Sequence, residues 1–570
     1  MKLHHQYLLL HERYGAKDED FAAVVTLDEL AAALDCTHRN ALTIIRNMEE
    51  RGWIGWAPRR GRGARSTLRF LAKAEEIAAE SVMQAIHRKD VRQAIEDIRR
   101  HAGTSSLQDQ LQGWLLSYFG HHAETRRDKQ IDTLRLPVRQ RLYTVDPLYM
   151  NLLAESFVSS HVFDGLIRMQ SATGELLPGI AHAWDVDDSR TEWTFYLRKG
   201  VLFHNGSLLT ADDVVYTFER LAGSTRRALY SSIFKQIRAV RALHQNSVRI
   251  ELKEQSELFL PWLCTSRAAI VPRNLDGRGE ARFGVSPVGS GPFKVAEMNG
   301  GLCVLEAFPH YFQGQAHLDR IEIVYVPWNI SGEQAAGSDG DSLSPFHVIP
   351  NPTAAEGEGW SQMHSRVSVR KFVTCNTRKS GPLSDPAVRA RVFAALRGDG
   401  DGPAQGAIAP GQDTAGPELL IATIAPYQPD ADFVAERLQA AGYSCRVLSA
   451  SAEEFKGDIR LKSDLIVFSL LRDQDEQLRL FDLYQTVSEH VEPHMQIDIG
   501  RLLQAVALEE HPQQRAALFE SIETRLIAAD ELYILYEKPV QTAFLPSVRG
   551  VAFNSQGWVD LRNVWFPPKL

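Results

Sequence analysis

Two capped helices followed by an arginine-rich loop constrain the fold of the first 70 residues more than any other pattern in the chain. Thr26 and Glu29 have the spacing of a capping box, in which each side chain accepts a hydrogen bond from the other residue's backbone. Thr37 can cap a second helix, which Gly52 stops. The second helix carries apolar residues at the three- and four-residue spacing of one helix face: Ala41, Ile44, Ile45 and Met48. The pattern predicts a helix-turn-helix.

The residues after Gly52 predict a hairpin. Residues 53–56 and 66–70 are short runs of strand-forming side chains, and the loop between them contains glycines that let its tip bend. A hairpin directly after a helix-turn-helix is typical of a winged helix, in which the second helix is the recognition helix. The alternative interpretation is a small helical bundle with a basic loop.

Charge favours a nucleic-acid partner for this segment. The whole chain has a formal net charge of −8, yet residues 37–70 contain eight arginines, no lysine and two glutamates. Phosphate binding needs such a local positive potential. Double-stranded DNA is therefore the predicted partner. The candidate contact residues are those of the recognition helix and the wing that suit base edges or phosphates: His38, Arg39, Thr43, Arg46, Asn47, Arg59, Arg60, Arg62 and Arg65.

The full chain of 570 residues is too long for one ordinary domain. It contains no run of about eighteen apolar residues, and its first ten residues lack the small-residue cleavage site of a secretory signal. We therefore expect a cytoplasmic protein with no membrane partner. Five dispersed cysteines, none in a CxxC pair, predict reduced structural thiols rather than disulfides or a zinc site.

Residues 71–130 predict a helical connector, because balanced charges there alternate with intermittent apolar faces. The connector fits a dimerisation element, which would make the protein a homodimer, and fits a packed spacer equally well. His121 and His122 near its end are better explained by a polar hinge than by a metal site.

No assembled catalytic pattern is present in the sequence. The glycines of residues 289–291 are followed by Pro292 rather than by a helix with free amides, so they predict a turn and not a dinucleotide site. HExxH, GxSxG and Walker patterns are missing. We expect no enzyme activity, no cofactor and no catalytic metal.

From Tyr143 onward the chain resembles the peptide/nickel-type (family 5) extracytoplasmic solute-binding proteins. The resemblance rests on blocks that occur in the family's order: DP at 146–147, VFDGL at 162–166, GELLPGIA at 174–181, WTFYLRKGVLFHNG at 193–206, LTADDV at 209–214, PVGSGPFKV at 287–295, FPHYF at 308–312 and LSDPAVR at 383–389. It implies a two-lobed fold that closes on a ligand. Residues 331–360 and 397–417 depart from the family pattern, which implies a reduced second lobe.

The complete arrangement resembles the bacterial regulators that respond to sugar-phosphate stress and activate a small regulatory RNA. RGWIGW at 51–56, GRGARS at 61–66, GWVD at 557–560 and WF at 565–566 carry this resemblance. It implies a transcriptional regulator, more often an activator, whose effector is a small solute: a sugar phosphate, a sugar or an oligopeptide. The rival interpretation is the solute-binding component of an ABC import system.

The predicted fold class is therefore a multidomain α+β and α/β protein with three parts. A winged helix-turn-helix takes residues 1–70, the helical connector takes 71–130, and a two-lobed, class II periplasmic-binding-protein-like module takes 131–570. Lobe I comprises residues of about 131–365 and 500–570, and lobe II comprises about 366–499.

Position relative to the solute-binding family implies the candidate ligand residues. Arg267 and Arg378 suit an anionic group that is held by paired N–H donors. Asp473 and Asp475 fall near the place where peptide binders keep an acidic anchor for a ligand amine. The complete set is Tyr149, Asn151, Glu155, Trp262, Arg267, Asn376, Arg378 and Asp473.

Overall fold

The computed structural model divides the chain into two compact units, one of residues up to Phe119 and one from Gly120 onward. It describes residues 2–15, 22–59, 65–74, 76–77, 80, 118–126, 129–138, 140–170, 173–224, 228–326, 362–398, 418–451, 454–455, 457–473, 475–543, 548–552 and 559–567. Three predicted features lie outside the described residues: the wing tip (60–64), most of the connector (81–117), and most of the two stretches that depart from the family pattern (331–360 and 399–417).

The first unit combines helices with a small antiparallel sheet. Its helices are α1 (Lys2–Tyr14), α2 (Leu27–Ala33) and α3 (His38–Glu50), and its strands are β1 (Ala22–Val25), β2 (Ile54–Ala57) and β3 (Ser66–Phe70). The strands pair in the order β1-β3-β2. The predicted helix-turn-helix and hairpin are present, whereas α1 and β1 were not predicted.

Local hydrogen bonds explain why α2 and α3 begin and end where they do. The Thr26 hydroxyl accepts from the Glu29 N–H at 3.2 Å, and the Glu29 carboxylate accepts from the Thr26 N–H at 2.8 Å. At the end of α3, Gly52 has a φ of +72° and donates to Glu49 O, while Trp53 donates to Met48 O. These two bonds form a Schellman motif, which needs a left-handed residue at Gly52.

An aromatic cluster joins α1 to the recognition helix and the hairpin. The Tyr7 ring lies 5.8 Å from Trp53 and 5.6 Å from Phe70, both edge-on. The Tyr7 hydroxyl donates to Ala72 O at 2.6 Å. The apolar residues that the sequence assigned to the inner face of α3 are buried in this core: Ala41, Ile44, Ile45 and Met48.

The second unit begins with a hairpin of β4 (Gly120–Arg126) and β5 (Lys129–Val138). The sequence prediction of helix as far as residue 130 was wrong here, because β4 pairs antiparallel with β5, with His121 opposite Leu134. Pairing with β5 at the edge of the sheet satisfies backbone hydrogen-bonding groups of β4. The free energy gained from these hydrogen bonds outweighs the weak helix propensity of the segment.

The next 190 or so residues form three sheets with short helices between them. The helices are α4 (Leu153–Val162), α5 (Ala211–Ala222), α6 (Ser231–Phe234), α7 (Phe259–Leu263) and α8 (Glu280–Val285). The strands are β6 (Ile167–Met169), β7 (Leu176–Pro178), β8 (Ala181–Val186), β9 (Glu192–Leu197), β10 (Ile237–His244), β11 (Ser247–Leu252), β12 (Phe293–Asn299), β13 (Leu302–Ala307) and β14 (Arg320–Tyr325). The sheet orders are β6-β7, β10-β11-β9-β8 and β12-β13-β14-β5-β4.

The C-terminal half adds a further mixed sheet in the order β17-β16-β18-β15-β19. Its strands are β15 (Gln362–Cys375), β16 (Leu419–Ile424), β17 (Cys445–Ala450), β18 (Leu465–Arg472) and β19 (Leu532–Ala543). The helices are α9 (Pro386–Arg397), α10 (Gln428–Ala440), α11 (Ile459–Lys462), α12 (Glu476–Val487), α13 (Pro493–Leu508) and α14 (Pro512–Ala528).

One part of the predicted lobe assignment differs from the structure. The prediction gave residues 500–570 to lobe I, but β19 pairs antiparallel with β15 inside the sheet of lobe II. The register, with Thr374 opposite Leu532, explains the difference, because the crossover strand β15 needs a partner on its open edge.

Among the described residues of the second unit, three large apolar cores stabilise the fold. One packs β5, α4 and β12–β14 together with Leu561 and Val564 near the C-terminus. Another packs α9 and α10 against β15, β16 and β18. The largest joins the β8–β11 sheet to α12–α14, and it contains Phe195, Trp262 and Tyr484. In the described part of the chain, no helix combines the length and apolarity that a membrane span requires.

Candidate DNA and solute sites

The outer face of α3 is a row of polar and basic side chains. Because the apolar stripe of α3 faces the core, the remaining positions point to solvent. The five predicted recognition residues are all exposed: His38, Arg39, Thr43, Arg46 and Asn47. Arg39 and Arg46 form no ion pair with any residue that the structure describes, so their guanidinium groups are available to an external anion.

Two contacts organise the ends of this face. His38 Nε2 lies 2.5 Å from Asp28 Oδ1 on α2, which fixes the first side chain of α3 against the preceding helix. At the other end, the Glu49 carboxylate accepts from the Trp56 N–H at 3.2 Å and so ties α3 to β2. Sequence reasoning did not single out Asp28 or Glu49, since neither is basic nor part of the apolar stripe.

The described flanks of the wing carry two of its four predicted arginines. Arg59 follows β2 and Arg65 precedes β3, and both are exposed. The Arg59 N–H donates to the Ser66 hydroxyl at 3.2 Å, which closes the base of the hairpin. Arg60 and Arg62 lie outside the described residues.

Glu155, a predicted ligand residue, holds the protein's own backbone. One carboxylate oxygen accepts from the N–H groups of Tyr143 and Thr144, and the other accepts from Asn151 and Leu152. The side chain is buried at the start of α4. Four backbone donors occupy the carboxylate, so it has a structural role in this arrangement.

Tyr149 and Asn151, two more of the predicted ligand residues, lie shortly before Glu155 in the chain. Tyr149 is half-buried, and Arg220 lies 5.3 Å from its ring centroid. The same Arg220 forms a two-point ion pair with Asp146, at 2.8 and 2.7 Å. Asn151 is exposed next to them.

Trp262 and Asn376 are also integrated into the scaffold. Trp262 is completely buried among aromatic rings, with Phe218 at 5.8 Å and Phe259 at 6.0 Å. The Asn376 amide donates to Leu461 O at 2.7 Å, and its carbonyl accepts from the backbone of Arg378 at 3.2 Å. Arg378 itself is exposed.

Arg267 and Asp473 are both buried, and the charge of each acts on the buried Tyr230. Arg479 Nη1 lies 2.5 Å from Asp473 Oδ1, and both side chains are at least nine-tenths buried. Tyr230 precedes α6 with a φ of +66°, and its N–H donates to Asp482 one turn along α12 from Arg479.

Burial dominates the electrostatics of Arg267, Asp473 and Tyr230. Burial raises the pKa of Asp473, although the neighbouring Arg479 acts in the opposite direction. Burial also lowers the pKa of Arg267, against the opposing effect of Tyr230. Burial raises the pKa of Tyr230, and the charges of Arg479 and Arg267 both act on its hydroxyl. The charges of Arg267, Asp473 and Arg479 therefore all act on Tyr230.

Sequence reasoning missed Tyr230 and Arg479, although both stand beside predicted residues in space. Tyr230 lies outside the recognisable family blocks, and its left-handed conformation has no sequence signal in a tyrosine. Arg479 follows Asp475 by four residues, a spacing that places the two on one helix face. That spacing was the available clue.

The described residues contain no group of three or more metal-ligating side chains placed to hold an ion. All five cysteines are free thiols. Burial raises the pKa of Cys303 to about 12, which keeps this thiol protonated at neutral pH.

Two family models match the chain in the same order as the two units. The model for the sugar transport-related sRNA regulator N-terminal domain matches residues 2–123. The model for the middle domain of bacterial extracellular solute-binding proteins, family 5, matches residues 175–396.

Curated transcriptional regulators are similar to this chain in sequence. The HTH-type transcriptional regulator SgrR of Yersinia pseudotuberculosis is 25% identical over 599 residues, covering 100% of this chain and 99% of that protein. SgrR of Yersinia enterocolitica is 27% identical over 327 residues, covering 57% of this chain and only 54% of that protein.

A solved structure shows the same fold in the second unit. The periplasmic binding protein DppA from Helicobacter pylori, in complex with the peptide STSA, has a TM-score of 0.60 at 18% identity and covers 76% of this chain and 98% of its own. With an SgrR-type N-terminal domain and a family 5 solute-binding domain on one polypeptide, the chain has the domain arrangement of an SgrR-like transcriptional regulator.

Proposed function

We propose that this protein binds double-stranded operator DNA through its first unit and senses a small solute through its second. The observation that carries the proposal is the division of α3 into two faces. Five exposed polar and basic side chains lie on its outer face, and a buried apolar stripe lies on its inner face. A helix with this division of faces can enter the major groove while its apolar side stays in the core.

The residues of this face have different roles in the proposal. Arg39 and Arg46 are free of intramolecular ion pairs within the described residues, and they suit phosphate or guanine acceptors. Asn47 and Thr43 suit base edges, and His38 is held at the helix start by Asp28. In the wing, Arg59, Arg60, Arg62 and Arg65 contact phosphates or a narrow minor groove.

The second unit supplies the effector site. Its fold is that of proteins that bind peptides and other small solutes, and the effector is a sugar phosphate, a sugar or an oligopeptide. Solute binding stabilises one of two arrangements of this unit and so changes how the winged helix engages DNA. A coupling free energy of about 1–3 kcal/mol is enough for a 5- to 150-fold change in DNA affinity.

The regulator acts in the cytoplasm, where its operator is, and its resemblance to the regulators of sugar-phosphate stress favours a role as an activator. The connector between the two units transmits the effector signal, either as a dimerisation element or as a spacer.

A mobility-shift assay with the DNA upstream of the protein's own gene tests the proposal. The logarithm of the binding constant should fall linearly with the logarithm of the salt concentration, as expected for counterion release from phosphates. Glucose 6-phosphate should change the affinity if it is the effector. Binding to a scrambled sequence of the same length measures the nonspecific component.

Two variants test the assignment of the α3 face. Arg46→Ala should weaken operator binding by roughly tenfold, since one charged hydrogen bond contributes about 1.5–3 kcal/mol. Arg501→Ala removes an arginine that is 78% exposed in the second unit and should leave binding unchanged. Equal affinity of the two variants would refute the proposed interface, and failure of the full chain to bind any DNA would refute the regulator.

A further inference from the structure

Residues 559–566, which we call the C-terminal strap, are held in the core of lobe I. Leu561 and Val564 are buried there among β5, α4 and β12–β14. The Leu561 N–H donates to His161 Nε2 at 3.0 Å, and His161 Nδ1 lies 2.8 Å from Phe157 O on α4. Because a carbonyl only accepts, Nδ1 carries the proton of the neutral ring and Nε2 accepts from the strap. The strap is therefore fixed to α4 by a hydrogen bond between residues 400 positions apart.

The chain that precedes the strap braces it from one side. Arg549 and Trp565 exchange two backbone hydrogen bonds, at 2.9 and 3.1 Å. Gly550 has a φ of +68°, and a Cβ at this position would lie 1.8 Å from Asn563 O. The backbones of the two segments therefore approach each other so closely that only glycine fits at residue 550.

The last ring of the strap lies flat against β4. The rings of Phe566 and His121 are stacked, with centroids 3.9 Å apart and planes 6° from parallel. His121 Nε2 lies 2.9 Å from Asp132 Oδ1 on β5. Within the described sheet, β4 is an edge strand whose neighbour is β5. The strap is thus a second contact of this edge strand, in addition to its pairing with β5.

The same stretch of chain reaches the strap from lobe II. β19 ends at Ala543 in the sheet of β15, and Val548 already packs on the core of lobe I. The four residues between them can span at most roughly 18 Å when fully extended. A displacement of the lobe II sheet beyond the reach of this short link must move Val548, and with it the segment that braces the strap.

β4 is also the first strand after the predicted connector. It begins at Gly120, whose φ of +94° is a conformation that other residues rarely adopt. Gly120 pairs with Arg135 of β5, which sets the direction in which the chain enters the sheet. In the first unit, the hydrogen bond from the Tyr7 hydroxyl to Ala72 O holds the start of the connector. Each end of the connector is therefore attached within its own unit.

We propose that the C-terminal strap relays the state of the solute-binding unit to the connector, through the stack of Phe566 on His121. This inference rests on the proposed regulatory function and names the route by which the second unit acts on DNA binding. In one arrangement of the lobes the strap is seated, β4 is fixed and the connector is pre-organised for DNA binding. In the other arrangement the link from β19 unseats the strap, and β4 loses this contact.

Phe566→Ala tests the relay in the full chain without any added solute. Operator affinity in a mobility shift should fall roughly fivefold, the lower end of usual allosteric couplings, because β4 is no longer fixed. Amide hydrogen exchange of β4 should become several-fold faster, while exchange of β13, a central strand of the same sheet, should stay unchanged. The proposed DNA contacts all lie in the first unit, so a purely structural role of Phe566 would leave operator affinity as it is.

Three matched variants complete the test. His121→Ala should reproduce both effects, and it replaces a side chain at the sheet edge that is 18% exposed, so it carries the test if Phe566→Ala does not fold. His121→Phe restores a stacked ring and should keep the wild-type operator affinity. Trp565→Ala is the control on the strap itself, because this side chain is 41% exposed and its hydrogen bonds to Arg549 come from the backbone.

Three results would overturn the inference. They are an operator affinity of the alanine variants at positions 121 and 566 equal to or above that of the wild type, unchanged exchange of β4, and an equal loss of affinity in Trp565→Ala or His121→Phe. A wild type that binds the operator beside variants with unaltered affinity removes this inference alone. A wild type that binds no DNA removes the proposed regulator, and the relay with it.

Discussion

Lys371 is completely buried in the middle of β15, where an unpaired ammonium would be strongly unfavourable. Its Nζ lies 2.6 Å from Asp430 Oδ2 on α10 and 3.7 Å from the centroid of the Tyr427 ring. Burial lowers the pKa of Lys371, and the hydrogen bond to Asp430 opposes that change. The Asp430 carboxylate also accepts from the Tyr536 hydroxyl, so α10 is bound to two strands through one side chain.

Asp430→Asn should destabilise the protein by about 3 kcal/mol, because it keeps the shape of the side chain and leaves the Lys371 charge uncompensated. The double variant Lys371→Met with Asp430→Asn should recover most of this loss, since no charge is then buried. Urea unfolding measures both. Asp432→Asn, an exposed neighbour on the same helix, is the control, and an equal loss in that variant would contradict the role of the pair.

His490 makes the stability of the second unit depend on pH. Burial, with a contribution from Arg460, lowers the pKa of His490 to about 3. The folded protein therefore keeps the ring neutral near pH 5, while the unfolded chain takes up a proton below its ordinary pKa of about 6.5. The unfolded state binds more protons in this range, so the stability that is present at pH 7 is lost as pH falls below about 6.5.

Between pH 7 and pH 5 this residue alone should reduce the free energy of unfolding by about 2 kcal/mol. His490→Leu removes the titrating group from the same buried position, so its loss of stability over this range should be smaller by that amount. Urea unfolding of both proteins at the two pH values gives the difference. An identical pH dependence would show that His490 does not contribute.

At the scale of the element, the end of α3 depends on one backbone conformation. Gly52 has a φ of +72°, and a Cβ added there would contact nothing within 4 Å. The cost of a side chain at this position is therefore conformational rather than steric. Since the Schellman motif that Gly52 completes sets the direction of β2, it also sets the start of the hairpin.

Gly52→Ala should destabilise the first unit by about 1 kcal/mol, because alanine is disfavoured in the left-handed region. Gly500 is the matched control. It lies exposed in the interior of α13 with open space around its Cβ position, and Gly500→Ala should stabilise by about 0.5–1 kcal/mol through helix propensity. Thermal unfolding followed by circular dichroism compares the two, and effects of the same sign would contradict this account.

The elements that the sequence predicted well are those with strong local signals. The capping box at Thr26, the apolar stripe of α3 and the glycine at its end are all contained within short segments, and all occur as predicted. The strand β4 and the position of β19 were not predicted correctly. β19 pairs with a strand that is distant in sequence, and the turn between β4 and β5 has no strong sequence signal. No periodicity within either segment therefore reveals the strand.

At the scale of the whole molecule, the effect of the proposed effector on DNA affinity and the effect of DNA on effector affinity must be equal. If the effector changes the DNA affinity by some factor, operator DNA must change the effector affinity by the same factor. Titration of glucose 6-phosphate into the protein, with and without saturating operator DNA, should give a ratio of dissociation constants equal to the ratio from mobility shifts. Unequal ratios would mean that the two measurements do not report one coupled equilibrium.

The predicted solute residues illustrate how far a sequence can place a site. Family position selected Arg267 and Asp473, which the structure buries and which remain predicted ligand residues. It did not distinguish them from Glu155 and Asn376, whose polar atoms serve the backbone. A carboxylate on the scaffold and a carboxylate at a site look the same in a sequence, because the difference lies in which donors surround them.

The sequence by itself determined the order of the two units, the basic face of α3 and the caps that start its helices, because these depend on residue types at short spacing. Only the tertiary structure decided that β19 completes the sheet of β15, that Glu155 is occupied by backbone donors, and that Arg479 neutralises Asp473. The physical reason is the same in each case. Burial and hydrogen-bond partnership are set by residues far apart in the chain, and these two quantities determine whether a polar side chain supports the fold or remains available to a ligand.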